Sequence, residues 1–552
     1  MLQIIVIGVI AGLISWYFTR RRRALNSIAH IAGPPSTSFI MGNFSEYFLG
    51  EVGEHEFAWQ EQYGAVYRIR GLFGARGEDR LIIADPKTLQ YCYQNNDTNW
   101  PKPGTRREWE RMILGRGVAW AQGEDHKRHR KILSPAFGNV DSRGMMPIFR
   151  KMADRMCQHW QDAITHGADG SSTLIDVADW ISRAALDSLG EAAFHYEFRC
   201  LENQDNKLAR SFSSLLVHTF AHSTKRRIFA QRVISFIPVS FLPIMEKLPL
   251  DVMRRLREAA EEGDKVAREL IKDKMEAMQS GVPQLRRDIM DILVHANTSA
   301  DPSSRLSEEE LYAQLRTIMV AGHETTGSQL CWILYELARR PDIQDKCHAE
   351  IAAMMKVVNA RGDQEYDVTD LDSLRYTLAV LKEGLRMHPV IYVSFLAPQM
   401  DDVLPLSKPI RTKDGRMLSE IPVRAGQYVH LSLAGYNRHA LLMRSPHLDI
   451  WGDDVHDFRP ERWLAGELPA KAVKFGLYAN LGNFASGDVS CLGWRFAVIE
   501  MQTTLVEILR NFKLSFPETG VKIFRSTGGL MTPVLAGDPQ KKQLPLMVTS
   551  LS

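Results

Sequence analysis

Phe484-Ala485-Ser486-Gly487-Asp488-Val489-Ser490-Cys491-Leu492-Gly493 runs directly into Trp494-Arg495-Phe496-Ala497-Val498-Ile499-Glu500-Met501. From there apolar residues recur at Trp494, Val498, Met501, Leu505, Leu509 and Phe512, the spacing of an amphipathic helix. The cysteine therefore stands in a glycine-containing loop at a helix N-terminus. Free N–H groups and partial positive charge at such an end favour thiolate over thiol, and a thiolate held this way suits a metal. Most lone cysteines are small core hydrophobes. The flanking glycines and the upstream aromatic separate Cys491 from that group.

Working outward, the longest predicted helix starts at Ser307. Ser307 and Glu310 form a capping box, S-x-x-E, and Leu311, Leu315, Ile318, Gly322, Leu330, Leu334 and Leu337 continue the period to Pro341. The helix is ~34 residues, or ~50 Å. In its middle lies Ala321-Gly322-His323-Glu324-Thr325-Thr326. Glycine beside two β-branched threonines weakens a helix, and such a local violation is either a functional compromise or a distorted packing site. Glu383 and Arg386 of Lys382-Glu383-Gly384-Leu385-Arg386 are i, i+3 neighbours on one helix face. Phe458-Arg459-Pro460-Glu461-Arg462-Trp463 brings further arginines just upstream of the cysteine loop. An earlier helix carries His126 and Arg130 at i, i+4 within the basic run Lys127 to Lys131, before Ser134-Pro135-Ala136-Phe137.

Taken together and in this order, the pieces resemble a eukaryotic, membrane-bound cytochrome P450 over nearly the whole chain. The cysteine loop is similar to the haem-thiolate signature F-x-x-G-x-R-x-C-x-G, matched at Phe484, Gly487, Cys491 and Gly493. Such a thiolate pushes electron density onto iron and favours O–O cleavage. His126, where many relatives have tryptophan, and the run from Cys491 to Phe496 resemble fungal members.

The resemblance implies a mainly α fold with small β-sheets, the cytochrome P450 fold, with haem b between two helices. It implies Cys491 as the proximal iron ligand, with Phe484, Gly487 and Gly493 shaping its loop. Ala321 and Thr325 would lie over the other haem face, with Thr325 and Glu324 supplying protons. His126 and Arg130 would reach the haem propionates, and Glu383, Arg386 and Arg462 would form a buried charge triad. The implied activity is insertion of one oxygen atom of O2 into a hydrophobic small molecule, a terpenoid or other secondary metabolite. The same motifs would serve a member that desaturates or rearranges its substrate. Two departures, Val489 and Leu396 where the family places propionate-binding arginines, leave open a haem- or lipid-binding protein of reduced catalytic competence.

Composition bounds the rest. The 552 residues are 45% apolar and 24% charged, with a net charge of +3. That is ordinary globular composition, and the charge is too small to point to nucleic acid. The six cysteines show no C-x-x-C pair, so neither zinc nor a disulfide framework is indicated.

Residues 2–18 are nearly all apolar and Arg20, Arg21, Arg22 and Arg23 follow. At ~26 Å the helix would match the thin endoplasmic reticulum membrane. The arginines would stay cytosolic, and a signal peptide would carry its charge on the other side. The expected organisation is an anchor over 1–23, a linker with a proline hinge at Gly33-Pro34-Pro35 over 24–35, and a cytosolic catalytic domain over 36–552.

No G-x-G-x-x-G follows a strand, so electrons are expected from NADPH through a separate reductase. The basic run Lys127 to Lys131 would suit an acidic partner. Val390 to Phe395 and Thr317 are expected to line an apolar substrate pocket. A second apolar stretch, Val233 to Leu242, follows Lys225-Arg226-Arg227 and is either a second membrane contact or an ordinary core helix and loop.

Overall fold

The computed structural model describes residues 27–73, 79–167, 170–202, 206–212, 215–220, 224–235, 237–279, 289–299, 301, 304–438, 454–464 and 475–551. The anchor expected over 1–23 lies outside these residues. Among the described residues no single helix is long and apolar enough to cross a membrane.

Most of the described chain is helical, and nine helices build or support the site. They are α1 (Pro86–Gln94), α2 (Gly104–Leu114), α3 (Gly123–Leu133), α4 (Met146–Thr165), α5 (Val177–Phe194), α6 (Asp251–Gln279), α7 (Glu308–Arg339), α8 (Arg375–Met387) and α9 (Trp494–Asn511). Helix α7 is the axis of the fold. Its capping box forms as the sequence predicts: Ser307 Oγ accepts from Glu310 N–H, and Glu310 accepts from Ser307 N–H. It packs on α5, α6, α8 and α9 and is buried on nearly every face. Helix α9 is likewise enclosed from Phe496 to Leu509, so the predicted amphipathic helix is a core helix, clasped between α4 and α7.

The strands are short and peripheral. β1 (Val66–Ile69), β2 (Arg80–Ile83), β4 (Val393–Leu396) and β7 (Val429–Ser432) form one sheet in the order β1-β2-β7-β4. Within it only the β2–β7 pair is parallel. β5 (Asp402–Arg411) and β6 (Met417–Val423) make a hairpin. β3 (Ser172–Asp176), β8 (Phe512–Ser515) and β12 (Pro545–Ser550) pair in the order β3-β12-β8. β9 (Ile523–Arg525), β10 (Pro533–Leu535) and β11 (Asp538–Lys542) form the last sheet.

The packed body begins earlier than the proline hinge. Ile28 and Ile31 are fully enclosed, Arg68 N–H donates to Ala32 C=O, and a Cβ on Gly33 would lie 1.9 Å from the Arg68 carbonyl oxygen. Residues 28–35 therefore belong with the body and do not form a free spacer.

Candidate active site and cofactor pocket

A cavity of about 480 Å³ lies between α7 and the cysteine loop that leads into α9, within the usual range for cofactor and ligand sites. Thr317, Ala321 and Thr325 recur every fourth residue and so share one face of α7. All three line the cavity, and Ala321 is exposed although it sits in mid-helix. Gly322 permits a close approach to the helix backbone. A Cβ there would meet the Leu189 side chain at 2.9 Å, so glycine lets α5 approach α7.

The opposite wall is the cysteine loop. Its tight course needs left-handed backbone at Ala485 and Gly487; a Cβ on Gly487 would also come within 2.7 Å of the Tyr93 carbonyl oxygen. Cys491 N–H donates to Phe484 C=O at 2.8 Å, which fixes where the thiol points. The side chain is open to the cavity while the surrounding protein shields it from bulk water. Burial pushes its thiol up, opposed by a Gly493 N–H and by Arg130. The helix end alone does not make a thiolate here; a metal cation in the cavity would.

At one edge of the cavity α3 presents His126 and Arg130. Arg130 donates to the Ser490 carbonyl at 2.6 Å and to Ser490 Oγ at 3.3 Å. His126 Nδ1 faces the Asp97 carboxylate at 3.3 Å, and burial holds the ring below its ordinary value. Asp97 is a site residue that sequence reading missed. The predicted basic face of α3 is largely spent inside the protein. Arg128 binds Glu310 and Asp125, His129 is buried against Glu310, and only Lys127 and Lys131 of the run are exposed.

On α7, Thr325 Oγ1 donates back to the Ala321 carbonyl at 2.7 Å. Glu324 is turned away from it. One residue along a helix is a rotation of ~100°, and the Glu324 carboxylate points into the protein, 3.3 Å from Lys542 Nζ and 3.6 Å from His323 Nε2. Thr325 and Glu324 are thus adjacent in sequence but face different surroundings.

Behind the cysteine loop, Glu383, Arg386 and Arg462 come together. Arg386 donates to both Glu383 carboxylate oxygens at 2.9 and 2.8 Å, and Arg462 Nε donates at 2.9 Å. Arg459 N–H and Trp463 Nε1–H also donate to the same carboxylate. Arg386 further reaches the carbonyls of Asn437, Val455 and Asp457, sewing two chain segments to α8. These charges hold Glu383 below its ordinary value although burial opposes them.

The model of the cytochrome P450 family matches residues 32–538. Over 99% of this chain and 99% of its own length, "Cytochrome P450 monooxygenase 91" of Postia placenta is 31% identical. "Cytochrome P450 monooxygenase 81" of the same fungus is 30% identical over 99% of this chain and 97% of its own length. "Cytochrome P450 monooxygenase claU" of Ampulloclitocybe clavipes is 30% identical over 90% of this chain and 88% of its own length. A cysteine loop facing a threonine-bearing helix across a cofactor-sized cavity defines a haem-thiolate enzyme. The chain belongs to the cytochrome P450 monooxygenases.

The family implies haem, and the residues present fit it. Cys491 opens into the cavity. A Cβ added to Gly493 would meet nothing nearer than Phe137 at 3.7 Å, so a flat group has room beside the thiol. Arg130 offers a cation at the edge.

Proposed function

We propose that this chain is a membrane-associated monooxygenase of a lipophilic secondary metabolite, terpenoid in type, fed with electrons from NADPH by a separate reductase. The observation that carries the reading is the single cavity that sets Cys491 against Ala321 and Thr325. Its substrate-side wall supports the substrate class: Val118, Leu189, Ile318, Val390, Ile391 and Phe395 are apolar, with Thr317 and Ser394 as hydroxyls.

Haem bound through Cys491 supplies oxygen activation and electron transfer. This chain's residues supply the rest. Arg130 would hold a propionate, and His126, fixed by Asp97, would sit beside it. Ala321 keeps the helix surface low over the reacting side. The Thr325 hydroxyl, tethered to the Ala321 carbonyl, has acceptor capacity left to hold a water. Glu324, within reach of Lys542 and His323, is placed to exchange protons with the protein side of α7. The apolar wall orients the substrate and excludes bulk water.

An apolar surface supports the membrane reading. Phe39, Ile40, Phe73, Val233, Phe241 and Ile244 are all exposed. Phe73 N–H donates to Ile40 C=O and its ring contacts Phe229, which joins the N-terminal turn to the helix Lys225–Ile234. Such patches mark interaction surfaces. With the anchor over 1–23, it would hold the protein on the endoplasmic reticulum membrane. Deletion of residues 1–23 is then expected to release only part of the protein from membranes. Complete solubility would reject the second contact. Lys127 and Lys131 remain available to an acidic reductase.

The test of function is expression with a reductase in a host exposed to ¹⁸O2, with metabolite profiling. A new lipophilic product carrying one ¹⁸O atom is expected. New products without label, by desaturation or rearrangement, would overturn the monooxygenase assignment.

A further inference from the structure

Haem held through Cys491 would bring two propionates into the cavity, and the chain would have to balance both. This inference rests on the haem-thiolate reading above. Val489 and Leu396 stand where family members place arginine, and Leu396 is only 2% exposed. Among the described cavity-lining residues, most of the cations are already engaged. Lys102 and Arg106 are both held by Glu110, at 2.8 and 3.2 Å, and His126 faces Asp97. Arg130 has no carboxylate within ion-pair distance among the described residues; its bonds go to Ser490, which is neutral.

The cavity lining also holds hydroxyls. Ser394 lies two residues before Leu396, on the same face of β4, and lines the cavity. Its Oγ is 2.7 Å from the Tyr93 hydroxyl. Tyr93 sits on α1, with its carbonyl against Gly487 of the cysteine loop, and it too lines the cavity.

Two hydroxyls carry two hydrogens, and the bond between them uses one. The other has no acceptor among the described residues. We propose that Tyr93 and Ser394 form a neutral clasp that donates this hydrogen to one propionate, replacing the arginine lost at Leu396, while Arg130 ion-pairs the other. Burial pushes the Tyr93 phenol up to about 12, which keeps it a donor beside an anion.

The test uses the full-length ferric holoprotein and measures haem transfer to an apoprotein scavenger. Tyr93→Phe and Ser394→Ala are each expected to speed transfer about three- to tenfold, the range for one neutral hydrogen bond. Ser394→Thr, which keeps a hydroxyl, is expected within about twofold of wild type. Arg130→Gln, losing a charged bond, is expected to speed it roughly ten- to a hundredfold. Leu396→Arg is expected to slow loss and to shrink the Tyr93→Phe effect below about twofold, because both serve one carboxylate.

A merely structural tie between α1 and β4 would lower thermal stability without moving the resonance Raman propionate-bending band. The clasp predicts a shifted band in Tyr93→Phe and Ser394→Ala. An unmoved band, or transfer within about twofold of wild type in both variants while Arg130→Gln is faster, would overturn it. Absence of a thiolate-ligated haem spectrum in wild type would instead refute the functional reading on which the clasp rests.

Discussion

Glu383, behind the cysteine loop, and Glu324, in the middle of α7, are both buried glutamates beside the same cavity, yet they are held in opposite ways. Glu383 accepts from two arginines, a backbone N–H and an indole, and Arg386 continues into three carbonyls of other segments. A carboxylate so surrounded cannot turn without leaving several buried donors unmatched, each at a desolvation cost. Glu324 faces a flexible lysine at 3.3 Å and an imidazole at 3.6 Å. Lysine is a point charge on a rotatable stem, whereas arginine is a planar fork. The first arrangement builds a fixed floor under the cysteine. The second leaves a charge that can change partners next to Thr325, which lines the cavity.

The largest expected effect is on the floor. Glu383→Gln strips the counter-charge from two enclosed guanidinium groups, a change that costs about 3–5 kcal/mol when a buried pair is broken. Against a total stability of about 5–15 kcal/mol, little folded holoprotein should accumulate, as measured by haem absorbance per unit protein. Thr325→Ala should fold normally and fail in chemistry. Product per NADPH should drop roughly one to two orders of magnitude, at or below the low end of what positioned proton transfer contributes, with peroxide making up the difference. Thr325→Ser should restore most of the coupling. If coupling is unchanged in Thr325→Ala, this residue does not hold the proton-side water.

A pair of double variants separates the two glutamates more finely. Removing both charges of a simple buried pair is often neutral. Glu324→Gln with Lys542→Met should therefore melt within a few degrees of wild type, on the scale of about 1 kcal/mol in a chain this large. Glu383→Gln with Arg386→Met should not recover, because three carbonyls lose their donor. Equal behaviour of the two doubles would erase the distinction.

The smallest effect is in pH. Glu383 has a folded pKa below its unfolded value, so its contribution is present above the ordinary glutamate range and is lost as pH falls through the folded value. Glu336, bonded to His388 and Arg340, is held down to about 2 and acts with the same sign. Melting temperature should fall progressively below pH 4.5, the ordinary glutamate value, and a flat profile there would contradict this assignment.

Much of this was legible in the sequence because it is local. The capping box at Ser307 follows from near neighbours, and the cysteine loop from spacing within ten residues. Glu383 and Arg386, three residues apart, read as an ordinary surface pair from spacing alone; only the family resemblance made them a buried triad. What the sequence hid is long-range. Lys542 meets Glu324 across 218 positions, and Tyr93 meets Ser394 across 301. No periodicity marks such pairs. Grouping Glu324 with Thr325 was a different omission. Adjacent helical residues diverge by ~100°, so the turn of Glu324 away from Thr325 was already implied once α7 was drawn.

The central claim is that Cys491 places a thiolate on haem iron in the cavity under α7. The direct measurement is the absorption spectrum of the dithionite-reduced, carbon monoxide-bound protein, taken for wild type and for Cys491→Ser at matched haem content. The account predicts the red-shifted Soret band of thiolate-ligated haem in wild type, and its replacement by a shorter-wavelength band with loss of turnover in Cys491→Ser, since an alcohol is a far poorer anion. The same red-shifted band in both proteins, or in neither, would contradict it.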